Sequence, residues 1–223
     1  MTIDESPNGV ATGAADPSPT DLEVVGAEYM LRLATQDDAQ ELFELGSDPA
    51  VTRFFSWGPY TSADQPLDYI ESLRAKRDSG QLLEFVIVER EAEKIVGVTG
   101  LTEFSKRDRR AVVGSWLGHK YWGRGVNYAS KSLVLGLGFK HLGLDRISSY
   151  SHVRNGRSRS ALERIGFINE GTLHGWHYHR GEPQDVNIHC LLRDLYERSP
   201  MSSDELAVSG GVPPAFLPAA TAP

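Results

Sequence analysis

The stretch from residue 111 to residue 141 constrains this chain more than any other. AVVGSWLG (111–118) is a β-branched run of strand character, and Val126, Ala129, Leu133 and Leu137 then fall on one stripe of a helix. Between them HKYWGRG places Gly123 and Gly125 two residues apart, just before the helix begins. Glycine turns sharply there and lets a ligand approach the backbone with no Cβ in the way. The first amides of the helix have no partner within it and carry the positive end of its dipole. Such a turn serves either as a plain strand-to-helix connection or as an anion cradle, and it belongs to an α/β order.

The remaining pattern agrees with that order. Tyr29 to Leu33 reads as a short strand, and Asp37 to Gly46 as a helix with Thr35 as its cap. Asp64 to Ser79 is a second helix, with Leu67, Ile70 and Leu73 at helical spacing and Gly80 as its stop. LLEFVIVER and KIVGVTGLTEF make a hairpin about a tight turn at 91–94. Downstream of the glycines, RISSYSHV is a strand, Ser158 to Ile165 a helix, and 167–177 and 184–192 two closing strands. The ends differ. Residues 1–25 and 200–223 are rich in Ala, Pro, Ser, Thr and Gly and lack an amphipathic period, so both are expected to be disordered tails around one domain over 26–199.

Charge sharpens the picture. The net charge of −7 comes from the two ends, because residues 26–199 hold 23 acids and 23 bases. Within that balance, 26–105 carries 15 acids against 7 bases, while 106–164 carries 13 bases against 3 acids. The basic segment surrounds the glycine turn and suits a small polyanion. A neutral domain without a basic, aromatic-studded face argues against nucleic acid. With no apolar run near the ~20 residues a span needs and no basic-then-apolar start, neither membrane insertion nor secretion is expected; the expected location is the cytoplasm. The dinucleotide fingerprint fails because Tyr128 stands where its third glycine belongs, and no Walker loop is present, so NAD and ATP lose ground. Cys190 is the sole cysteine and lies in an apolar strand, which favours a core role over a nucleophilic one. His174, His177 and His179 do not share one strand face, and no metal is expected.

A second constellation follows. In HVRNGRSRSALERIGFINEG, Asn155 ends a strand and Ser158 begins a helix that buries Ala161, Leu162 and Ile165. Taken with W-G-R-G, and with VGVTGLTEF, FKHLGLDRI and DVNIHCLLRD, this segment resembles the GNAT superfamily of acetyl-CoA-dependent N-acetyltransferases, in its RimJ/RimL-like branch. The similarity spans about residues 26–198.

That resemblance implies a single mixed α/β (α+β) domain, with a central, mostly antiparallel twisted sheet of about seven strands and helices on both faces. It implies acetyl-CoA as co-substrate, with the pantetheine arm pairing to the backbone of Trp116, Leu117 and Gly118. The pyrophosphate maps to Gly123, Arg124, Gly125, Val126, Asn127 and Tyr128. Asn155 matches the residue that hydrogen-bonds the pantetheine, and Ser158 the hydroxyl near the sulfur. The sequence departs from the usual pattern at Trp122, Asn127 and Tyr128–Ser130, although backbone donors survive these changes.

Acetyl transfer from a thioester needs a neutral amine and a thiolate that can leave, with no covalent enzyme intermediate. Where RimL-like enzymes carry a catalytic carboxylate, ten residues past Phe167, this chain has His177. Histidine ordinarily titrates near pH 6.5 and is a credible base at neutral pH. Glu103 is the reserve candidate, and Asp185 a third. The expected acceptor is an amine, foremost a protein N-terminal α-amine; a small-molecule amine and a non-catalytic acyl-CoA sensor are the alternatives. A homodimer is compatible with the sequence.

Overall fold

The computed structural model describes residues 21–179 and 181–217. In chain order the elements are β1 (Glu23–Val25), β2 (Tyr29–Arg32), α1 (Ala39–Gly46), α2 (Pro49–Thr52), α3 (Asp64–Asp78), β3 (Leu82–Glu89), β4 (Lys94–Ser105) and β5 (Arg110–Leu117). Then follow α4 (Val126–Gly136), β6 (Arg146–His152), α5 (Gly156–Ile165), β7 (Ile168–His179), β8 (Glu182–Leu192), α6 (Arg193–Glu197) and β9 (Ala207–Ser209). The strands form one sheet in the order β7-β8-β6-β5-β4-β3-β2-β1-β9. Every neighbouring pair is antiparallel except β5 and β6, which run parallel.

Local chemistry explains the element boundaries. Thr35 opens the first helical segment, its N–H donating to the Asp38 carboxylate at 2.7 Å, and Arg32 grips the same carboxylate with two bonds of 2.7 Å. Gly80, at φ 73°, ends α3 where the chain must take the left-handed region. β3 and β4 alternate so that one set of side chains meets α1 and α3 and the other meets α4. On the first face lie Glu84, Val86, Val98 and Gly100, beside Leu42, Ile70 and Leu73. On the second, the π-helical turn that continues α4 over Leu137–His141 rests on Leu101 and Ile147, so closely that a Cβ on Gly138 would come within 2.6 Å of Ile147.

The sheet has nine strands rather than seven, and both extra strands come from segments expected to be tails. β1 pairs with the outer edge of β2, and β9 pairs in turn with β1. Leu22 and Val24 are fully buried, Met201 and Phe216 nearly so. Phe216 packs on Phe104 with ring centroids 4.7 Å apart, and Ser132 donates to Asp204 at 2.6 Å. The domain boundaries drawn at 26 and 199 therefore move outward. The apolar residues of these segments are too few to show a period of their own. They fold because the sheet offers them an edge and a groove. Residues 1–20 and 218–223, the outer parts of the expected tails, lie outside the described residues.

Candidate active site

β5 and β6 are register partners only from Arg110 opposite Arg146 to Val112 opposite Ser148. Ser149 Oγ then donates to the Val113 carbonyl at 3.0 Å. Beyond that link the strands part, β5 staying with β4 and β6 with β8, and a V-shaped cleft opens at the middle of the sheet. Gly118 donates its N–H to Val96 of β4 at 2.9 Å, so by the alternation of a ladder Trp116 and Gly118 spend their backbone groups on β4. Ser115 and Leu117 face the cleft instead, and the Leu117 carbonyl accepts the Trp122 indole N–H at 2.9 Å. The expected trio of Trp116, Leu117 and Gly118 thus divides. Leu117 keeps its place on the free edge, Ser115 joins it, and the Trp116 side chain turns to the other face.

One end of the cleft meets the glycine turn. Gly123 and Gly125 have φ of 75° and 83°, and a Cβ at either would meet no heavy atom within 4 Å. The left-handed backbone demands glycine, while the space around it is open to a ligand. Gly125 caps α4, with the N–H groups of Tyr128 and Ala129 closing on its carbonyl at 2.9 and 3.1 Å. Val126 is buried and anchors the turn, Asn127 is half-buried, and Arg124 and Tyr128 are exposed. Arg157, which sequence reasoning passed over inside N-G-R-S, lies over the Trp122 ring at 3.1 Å and adds a second cation.

At the start of α5, Asn155 is the N-cap: its Oδ1 accepts the Ser158 N–H at 3.2 Å, and its carboxamide NH2 takes no part in that bond. Ser158 is half-buried in the first turn. On the face that carries α4 and α5, Ser151 Oγ is buried without a hydrogen-bond partner among the described residues. A free strand edge, an orphaned hydroxyl and an open glycine turn fit a long, narrow ligand that ends in phosphates.

The opposite face of the cleft holds a cavity of about 400 Å³ beneath α3 and the loop before it. Trp57 sits at its aromatic wall, with Tyr60, Trp116 and Phe55 at centroid distances of 5.1, 5.4 and 5.6 Å. Glu84 lines the cavity, and its carboxylate accepts the Tyr69 hydroxyl at 2.8 Å. Burial pushes the Glu84 carboxyl up to about 7, against the opposing pull of Tyr69 and Lys76. Burial likewise pushes Tyr60 up to about 12. Glu84 was not singled out from the sequence. Its signal was a lone acid at an inward-facing position of the apolar run LLEFVIVE.

Two of the three expected bases come together around Tyr150. Glu103 occupies a bulge of β4 at φ 51° and accepts the Tyr150 hydroxyl at 3.2 Å. The exposed His177 ring stands edge-on to Tyr150 at 5.8 Å. Asp185 is engaged elsewhere: the Gly175 N–H and His174, each at 2.8 Å, hold it below the usual carboxylate range. Cys190 is buried in the core, its thiol pushed up to about 11 by burial first and by Glu170.

Lys131 of α4 is buried under the sheet and hydrogen-bonded to Ser115, whose hydroxyl lies 2.7 Å from that of Thr99. Burial lowers the Lys131 pKa from 10.5 to about 7. Between those values the unfolded chain binds the extra proton, so this group makes stability rise with pH from about 7 to 10.5. Lys131→Met should raise the melting temperature at pH 7 and flatten that rise. Thermal melts across pH 6 to 10 check it, and an unchanged slope would contradict it.

The description "Acetyltransferase (GNAT) domain" fits residues 29–168. The chain belongs to the GNAT acetyltransferases. It is 30% identical over 166 residues to the uncharacterized N-acetyltransferase p20 of Bacillus licheniformis, covering 74% of this chain and 93% of that one. A 28% identical relative, the uncharacterized N-acetyltransferase YoaA of Bacillus subtilis, matches over 164 residues, again 74% and 93%. Among solved structures, a spermidine N-acetyltransferase from Vibrio cholerae, in complex with CoA and spermine, shares the fold at TM-score 0.65 and 22% identity, covering 76% of this chain and 98% of that one. As a GNAT enzyme the protein is an acyltransferase that uses acetyl-CoA and an amine. No helix among the described residues is long and apolar enough to cross a membrane.

Proposed function

We propose that the protein acetylates a primary amine which enters through the aromatic cavity and meets acetyl-CoA at the splayed edge of β5. The observation that carries this reading is the position of the cavity. It lies on the α3 face, opposite the face that bears the glycine turn, and is lined by Gly114, Ser115 and Trp116 of β5, of which Ser115 belongs to the free edge. A cavity of about 400 Å³ favours a small-molecule amine with a partly apolar body. A second reading, an α-amine at a protein N-terminus of RimJ/RimL type, is supported by similarity to a candidate ribosomal N-acetyltransferase of Bacillus subtilis, YdaF, 29% identical over 103 residues. That match covers 46% of this chain and 56% of the relative.

Bound acetyl-CoA supplies a thioester already activated toward amines. In this reading the backbones of Ser115 and Leu117 align the arm, Asn155 holds its amide, and the turn from Gly123 to Tyr128, with Arg124 and Arg157, holds the phosphates. His177 takes the proton of the attacking amine, directly or through water, with Tyr150 and Glu103 beside it. The new C–N bond forms as the C–S bond breaks. Ser158 gives a proton or hydrogen bond to the departing sulfur.

His177→Ala and Ser158→Ala should each lower kcat by about 10²–10⁴-fold while acetyl-CoA affinity changes little. Thiol-release kinetics with an amine panel, beside calorimetry for acetyl-CoA, checks both. Full kcat in His177→Ala would move the base to Glu103, with Glu103→Gln as the deciding variant. Turnover of peptide N-termini but of no small amine would select the second reading.

A further inference from the structure

Glu84 is a carboxylate without an assigned task that lines the acceptor cavity two strands from β5. In the sheet register it stands opposite Gly100, and Gly100 stands opposite Gly114, so the three form a row across β3, β4 and β5. Two strand spacings of about 4.8 Å put Glu84 about 10 Å from the splayed edge. The two residues between are glycines. A Cβ on Gly114 would meet nothing within 4 Å, whereas one on Gly100 would run into Glu84 Cα at 2.8 Å. The floor from the edge to Glu84 is therefore bare, a trough along which an alkyl chain can lie.

The walls of the trough select charge. Phe55, Trp57, Tyr60 and Trp116 turn aromatic rings toward it, and ring faces attract organic ammonium groups. Among the described residues, Glu84 forms no ion pair within 4 Å. Tyr69 from α3 donates to it, Tyr60 lines the same cavity, and Lys76, whose charge pulls weakly on Glu84, lies over the Tyr69 ring at 4.9 Å. Burying an acid without an ionic partner is costly, so the site gains when a ligand brings the cation.

We propose that Glu84, with the aromatic wall, binds a second cationic group of the acceptor, and that the preferred substrate is a small amine carrying another ammonium about 8–10 Å from the nitrogen acetylated. This rests on the reading that the cavity holds the acceptor. Glu84 is then a specificity-determining residue and acts through binding. Its carboxyl opens onto the cavity and is held near 7 mainly by burial, so the preference for a dication strengthens as pH rises from 6 to 8.

The test uses the full chain, acetyl-CoA and three acceptors of matched length: 1,6-diaminohexane, hexylamine and 6-amino-1-hexanol. Wild type should favour the diamine over both others by about 10- to 100-fold in kcat/KM, chiefly through KM, the range of one hydrogen bond to a charged group. Glu84→Gln should bring that ratio close to one, and Glu84→Asp should restore part of it. Equal kcat/KM for diamine and hexylamine in wild type overturns the proposal while leaving the acceptor cavity standing, and it decides the matter even where Glu84→Gln fails to fold. A ratio unchanged in folded Glu84→Gln also overturns it. Turnover of none of the three, alongside turnover of peptide N-termini, overturns the small-molecule reading as well.

Discussion

Gly125→Glu abolishes acetyl-CoA binding while leaving a folded protein. The residue caps α4 at φ 83°, so any side chain there costs about 1–3 kcal/mol of backbone strain. No heavy atom lies within 4 Å of the new Cβ, so steric clash adds nothing. In the proposed binding mode, however, the carboxylate would stand where the amides of Val126 and Asn127 meet the diphosphate, and would replace attraction by repulsion at the helix dipole. Affinity should fall at least about 100-fold. At a ligand concentration near 100 times the wild-type Kd, wild type gains about 2.7 kcal/mol of stability and the variant almost none. Calorimetry and thermal melts with acetyl-CoA read both effects, and an undiminished ligand-induced shift would place the diphosphate elsewhere.

Truncation after Ser203 should destabilise the domain severely. It removes Asp204 from Ser132, β9 from β1, and the Phe216 ring from Phe104. Loss of one buried phenylalanine costs about 3–5 kcal/mol, and β1 would keep one neighbour where it now has two. That approaches the whole stability of an ordinary domain. Urea unfolding of full-length and truncated chains measures it; equal midpoints would show that the C-terminal segment contributes nothing.

What the sequence revealed and what it hid follow from the range of each signal. The glycine turn and the hairpin over 82–105 are local, set by a backbone angle or a period of two. Each appears where the sequence puts it. The helix expected to begin at Ser158 starts earlier, at Gly156, with Asn155 as its N-cap rather than as a strand end. The terminal strands are the opposite case. β1 and β9 are three residues each and exist because the β2 edge is free, which no local pattern encodes. The cavity on the α3 face was hidden for the same reason. Glu84, Tyr69 and Trp57 come from three separate segments, and only the register of β3 on β4 and β5 shows that Gly100 and Gly114 clear the way between Glu84 and the cleft. Trp116 and Gly118 illustrate a finer limit. Family likeness points to one strand, and the alternation of its hydrogen bonds decides which of its residues have free backbone groups.

Amine-dependent release of CoA thiol, with the acetylated amine identified by mass spectrometry, tests the central claim most directly. The full chain with acetyl-CoA and 1,6-diaminohexane should release thiol and form N-acetylated product in equal amounts, and Gly114→Ala, which narrows the trough beside the cleft, should lower kcat/KM without changing the affinity for acetyl-CoA. Tight binding of acetyl-CoA with no thiol release above the amine-free rate, across small amines and peptide N-termini alike, would contradict it and mark the chain as an acyl-CoA-binding protein.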